Sequence, residues 1–135
     1  MANNLDNLID AARRARGCSY SPYSRFAVGA ALQVSSGQIF TGTNVENISF
    51  GLTLCAERAA VAAAIAAGES DFRLLALLAD SAEPVVPCGA CRQVLAEFNP
   101  SLRIVSVTVS GKQKEESLQD LLPAPKRGIL EHAQS

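Results

Sequence analysis

The sequence predicts an α/β fold in which helices cover a sheet of mixed strand direction. Two observations carry this. An amphipathic opening segment is followed by a hairpin-like pair of apolar stretches, and beyond the hairpin helical and strand patterns alternate. A third sets the scale: 135 residues suit one compact domain, spanning 1–135, and leave little room for a second.

The elements follow in order. Leu5, Leu8, Ile9 and Ala12 share one face of a helix that Gly17 would stop. A loop, CSYSPYSR, leads into a strand from Phe26 to Val34. Ser35-Ser36-Gly37 turns the chain into a second strand, Gln38 to Thr43. Asn44 to Leu52 is rich in Asn, Glu, Ser and Gly and reads as loop. An alanine-rich helix runs from Thr53 to Ala67, with Thr53 as N-cap and Gly68 as C-cap. Phe72 to Ala79 is a buried strand and Ser81 to Pro87 a proline-containing loop. Cys88 to Phe98 forms another helix, ended by Asn99-Pro100. Arg103 to Val109 is a strand, and Ser117 to Leu122 a last helical turn.

Composition narrows the function. Hydrophobic residues make up 48% and charged residues 19%, enough to bury a core without disulfides. Aromatics are only 5%, so that core must be built from Ala, Val, Ile and Leu. A net charge of −1 argues against gripping a nucleic-acid backbone, which needs clustered Lys and Arg. Arg13, Arg14 and Arg16 read as a solvated helix face, and Lys126-Arg127 as a short cluster. The first ten residues lack the basic start and apolar run of a signal peptide, and Ala59 to Ala67 is too short to span a bilayer. A cytoplasmic protein with no membrane partner is expected. In that compartment four cysteines read as ligands or free thiols.

The chemistry concentrates in Cys55-Ala56-Glu57-Arg58 and Pro87-Cys88-Gly89-Ala90-Cys91, both placed at helix N-termini. A C-x-x-C pair can chelate one metal from the first helical turn, where thiolates are favoured. Zinc takes such ligands tetrahedrally, and three protein ligands leave a fourth position open for water. Glu57 can reach that water without ligating. Residues two apart on a helix point about 200° from each other, so Cys55 and Glu57 share a site only near the helix start. Three thiolates leave the site anionic, and Arg58 or Arg92 would offset this by donating to sulfur. Two alternatives remain open on spacing alone: a structural zinc with Cys18 as fourth ligand, or a redox pair at Cys88 and Cys91. His132 reads as a tail residue.

At these residues the chain resembles the cytidine deaminase superfamily, whose signature C-A-E followed by P-C-x-x-C it carries in the three-cysteine form. The likeness extends over three blocks: YSPYSRFAVGAAL from Tyr20, TGTNVENISFGLTLCAERAA from Thr41, and PCGACRQVLAEF from Pro87. It implies a three-layer α-β-α sandwich with a mixed, roughly five-stranded sheet. It also implies a homotetramer with shared active sites, one zinc per subunit, a pyrimidine nucleoside as partner and no nucleic acid. Cys55, Cys88 and Cys91 match the zinc ligands and Glu57 the proton shuttle. Asn44 and Glu46 match residues that bind ribose hydroxyls, Phe26 the aromatic on the pyrimidine ring, and Ala56 a backbone contact to the base. The implied reaction is hydrolysis of cytidine or 2′-deoxycytidine to the uracil nucleoside and ammonia, as in pyrimidine salvage.

Two positions depart from the pattern. Phe50 stands where the family often has Tyr, and Lys126 where relatives carry an aromatic after LLP. Both concern substrate contacts and open an alternative, a deaminase of N4-modified cytidines or of a cytosine nucleoside antibiotic. A zinc-binding protein without catalysis is the other, and it would have no need of Glu57.

Overall fold

The computed structural model describes residues 4–126; the expectations for Arg127 and His132 lie outside them. The described elements run α1 (Asn4–Arg16), β1 (Val28–Val34), β2 (Ile39–Thr43), a 3-10 turn (Phe50–Leu52), α2 (Ala56–Ala66), β3 (Phe72–Ala79), α3 (Gly89–Phe98), β4 (Arg103–Thr108), β5 (Gln113–Ser117) and α4 (Leu118–Leu121). The five strands form one sheet in the order β2-β1-β3-β4-β5. Only β3 and β4 are parallel, joined by the crossover through α3; the other neighbours are antiparallel.

Three layers result. One core lies between the sheet and α1, where Leu8 and Ala12 meet Ala31, Ala76, Leu78 and Val105. The other lies between the sheet and α2, α3 and α4, built on Leu32, Leu75, Leu77, Leu95 and Ile104. The central strand β3 is buried on both faces, which is why FRLLALLA reads as a continuous apolar run rather than an alternation. With few aromatics, Phe72 is the largest fully buried side chain; its ring packs 4.8 Å from that of Phe98.

Two glycines set the layer spacing. A Cβ on Gly29 would lie 1.9 Å from the Ala12 carbonyl oxygen, so only glycine lets α1 settle on β1. A Cβ on Gly42 would lie 2.4 Å from both the Ala56 oxygen and the Ala60 nitrogen, so β2 touches the first turn of α2 directly. That contact fixes the height of the residues that begin α2.

The structure corrects the sequence at three places. The N-cap of α2 is Cys55, not Thr53, and the helix starts at Ala56. Thr53 instead accepts a hydrogen bond through its hydroxyl from the Asn47 N–H and steadies the preceding loop. At the other end Ala67 is the C-cap, with Gly68 following at φ +84°. The Gly68 N–H donates to the Ile65 carbonyl and the Glu69 N–H to the Ala64 carbonyl, a Schellman ending. Finally, β5 is a strand that apolar periodicity could not reveal: QKEES has no apolar residue and lies at the sheet edge, where charge discourages further pairing.

Candidate metal centre and nucleoside cleft

Cys55 is the N-cap of α2 and Cys88 the N-cap of α3; neither uses its side chain as a cap. Cys91 lies within the first turn of α3 and is fully buried. The two helix starts thus bring three sulfurs together from separate parts of the chain. Cys88 and Cys91 Sγ are 3.4 Å apart, Cys55 and Cys88 Sγ 3.9 Å, and all three lie within 4.8 Å of one another. Tetrahedral zinc with Zn–S bonds of about 2.3 Å requires sulfurs about 3.8 Å apart, so the donor set and its spacing fit zinc. Cys18 is exposed and outside this group, which removes it as a fourth ligand among the described residues.

Arg58 donates from a terminal guanidinium nitrogen to Cys55 Sγ at 3.3 Å, and this bond makes the guanidinium hold its proton even more firmly than usual. Its buried Nε has no hydrogen-bond partner among the described residues. The cation therefore faces the sulfur cluster, where it would offset the charge of three thiolates holding a metal. Arg92 does something else: it donates to the carbonyls of Pro87 and Leu121, pinning the residue before Cys88 and tying α3 to α4.

Glu57 is only 7% exposed. Burial pushes its carboxyl above the ordinary range; its own backbone N–H, Arg58 and Cys91 pull the other way without winning. A carboxyl raised by burial in a cleft is suited both to accept and to release a proton.

The cleft in front of this cluster has a volume of about 310 Å³. Its floor is Cys55, Ala56, Glu57 and Cys88; Phe26, Val28, Val85 and Val86 form apolar walls. Ser24, Asn44, Glu46 and Thr53 supply the polar side. Of the residues singled out in the sequence, Phe26, Asn44, Glu46, Ala56 and Glu57 thus meet the metal cluster in one space. Phe50 does not line this cleft. It is 72% exposed on the 3-10 turn, its ring edge-on to Tyr23 at 6.4 Å. Lys126 lies beside α3, its backbone exchanging two hydrogen bonds with the Gln93 amide.

Asn44 and Glu46 are held by the loop they face. Asn44 Oδ1 accepts from the Val28 N–H and the Ser19 hydroxyl, and its Nδ2 donates to the Phe26 carbonyl. One amide hydrogen is left for a ligand. Glu46 accepts from the N–H groups of Tyr23 and Ser24 and from the Ser24 hydroxyl. That leaves about one of its acceptor positions open. Sequence reasoning missed Ser24, Val28, Thr53, Val85 and Val86 as cleft residues. Ser24 sits inside the YSPYSRF block, so proximity to Phe26 was its only signal.

Fold and site together define an α/β protein whose three-cysteine cluster would hold zinc beside a cleft of about 310 Å³. The family model for the cytidine and deoxycytidylate deaminase zinc-binding region matches residues 2–108. A cytidine deaminase of Sporosarcina psychrophila is 44% identical over 121 residues, 89% of each chain. One of Halalkalibacterium halodurans is 46% identical over 117 residues, covering 86% of this chain and 89% of that protein. The crystal structure of cytidine deaminase from Burkholderia pseudomallei superposes with a TM-score of 0.87 at 44% identity, covering 93% of this chain and all of that one. The chain belongs to the cytidine deaminase family.

Proposed function

We propose that the protein hydrolyses cytidine or 2′-deoxycytidine to the uracil nucleoside and ammonia. The observation that carries this is a buried carboxylate, Glu57, beside three convergent thiols at the floor of an apolar-walled cleft. Cys55, Cys88 and Cys91 would hold one zinc per chain. When bound, zinc supplies Lewis acidity, which lowers the pKa of water at its open position.

The chain's own residues do the rest. Phe26 and the valines flank the flat base and exclude solvent. The spare amide hydrogen of Asn44 and the spare lone pair of Glu46 meet sugar hydroxyls. Glu57 accepts a proton from the attacking water and delivers it to N3 of the ring as the water oxygen bonds to C4. It then takes the remaining proton from that oxygen and passes it to the amine, so the C4–N4 bond breaks and the products are uracil nucleoside and ammonia. The relatives at 44 and 46% identity are cytidine deaminases, so N4-modified cytidines and antibiotics are not the favoured substrates.

We further infer a homotetramer in the cytoplasm. The four described cysteines are free thiols, which a reducing compartment preserves. The outward face of α2 exposes Ala62, Ala63, Ile65 and Ala66, and the loop beside the cleft exposes Ile48, Phe50 and Leu52. Apolar surface of this extent calls for a partner copy.

The test is uracil nucleoside formation from cytidine by zinc-loaded protein, wild type against Glu57→Ala. The variant should lose roughly 10²- to 10⁴-fold in kcat while retaining one zinc per chain. A wild type that deaminates no cytosine nucleoside would refute the reading.

A further inference from the structure

Ser24 touches both halves of the cleft, and no role described above accounts for it. Its hydroxyl donates to Glu46 Oε2 in a very short contact. The same oxygen accepts from the Phe26 N–H at 3.0 Å. Its backbone N–H donates to Glu46 Oε1 at 3.1 Å. Between Ser24 and Phe26, Arg25 has φ +57°, a left-handed conformation uncommon outside glycine. The side-chain-to-backbone bond from Phe26 to Ser24 closes a local turn around that residue, as serine hydroxyls commonly do.

The consequence is mechanical. The Phe26 N–H is held by Ser24 and its carbonyl by Asn44, so the backbone that carries the ring is held on both sides. Glu46 has both carboxylate oxygens engaged, and among the described residues Ser24 supplies the side-chain donor. One hydroxyl therefore links the carboxylate on the sugar side to the ring on the base side.

We propose that Ser24 is a positioning residue for nucleoside binding: it sets the distance and orientation between Glu46 and Phe26, so that sugar and base are recognised as one rigid unit. This rests on the reading of the cleft as a cytosine nucleoside site. Ser24 acts through Glu46 and Phe26 and moves no proton of the reaction.

The experiment measures cytidine affinity by calorimetry in zinc-loaded Glu57→Ala protein, which binds without turnover. Ser24→Ala, Ser24→Thr and Ser24→Val are placed in that background. Threonine and valine share a shape, so their difference reads the hydroxyl alone, whatever strain the larger side chain brings. Ser24→Ala and Ser24→Val should bind cytidine about tenfold more weakly, the worth of one hydrogen bond to a charged group. Ser24→Thr should stay within about twofold of the parent, and zinc content should not change in any of them. Adding Glu46→Gln should remove most of the difference between threonine and valine, because the two residues act as one unit. Equal affinity of the threonine and valine variants overturns the proposal, as does strict additivity with Glu46→Gln. If the Glu57→Ala parent itself binds no cytidine, the nucleoside reading fails and the Ser24 proposal with it, an outcome distinct from loss in the Ser24 variants alone.

Discussion

At the scale of single residues, the site is governed by which groups share a charge. Arg58 lies 3.3 Å from Cys55 Sγ and is the cation nearest the three sulfurs among the described contacts. Replacing it with glutamine keeps a donor but removes the charge. Zinc affinity or activity should then fall roughly 10- to 100-fold, the usual cost of losing a residue that supports a metal ligand. A metal count under competing chelator, together with kcat, checks this; wild-type zinc retention and wild-type kcat would refute it. Glu46 offers a pH test. Ser24 holds its carboxyl below the ordinary value of 4.5, its partial burial opposing, with backbone N–H groups adding to the effect. A depressed folded pKa stabilises the fold above the unfolded value and loses that contribution as pH falls through the lower folded one. The melting-temperature gap between wild type and Glu46→Gln should therefore be widest near neutrality and shrink on acidification below about pH 4. A gap constant from neutrality to acid would show that the carboxylate's charge contributes nothing to folding.

At the scale of elements, the catalytic geometry depends on where α2 begins. Thr53 looks like an N-cap because hydroxyls usually serve there, yet the helix starts past it. The cap position goes to a cysteine whose thiol is left free for metal, and no capping preference announces that. Glu57 then falls in the first turn, where it can share a space with Cys55, as the helical geometry required. Gly42 controls this register from the sheet. A methyl there would lie 2.4 Å from backbone atoms at Ala56 and Ala60, which cannot yield as a side chain would. Gly42→Ala should cost about 1–3 kcal/mol of stability and reduce kcat by displacing Glu57. Thermal unfolding of Gly42→Ala against the wild type decides the matter, and equal melting temperatures would mean that β2 and α2 can separate freely. The strands that carry the core were legible because burial writes itself as apolar runs. The edge strand β5 was not, since its pairing with β4 depends on backbone bonds and charged side chains such as Arg103 with Glu115.

At the scale of the whole molecule, the described surface is uneven in a way that one chain does not explain. The sheet edge at β5 is charged, whereas the surface around the cleft is apolar. Ile48 is 82% and Leu52 71% exposed, and both belong to the loop that carries Glu46. Between Arg58 and Glu69, α2 has no charged residue, so its solvent side is as apolar as its core side. A helix apolar all round is expected where both faces are covered. In sequence the loop leads into the residues that begin α2, and its Thr53 lines the cleft, so a copy packed on the loop would lie beside the cleft. Phe50 fits the same logic: it is not part of the cleft lining of its own chain and lies exposed beside Tyr23, where a neighbour could cover it. Leu52→Asp should therefore break the assembly by burying an unpaired charge in the interface. Light scattering after gel filtration should show the wild type at the mass of four chains and Leu52→Asp at a smaller mass. Activity should fall with the assembly while zinc per chain is retained, because the cysteine cluster lies within one chain. A wild type that runs as a monomer with full activity would place the apolar rim in solvent and leave the cleft complete without a neighbour.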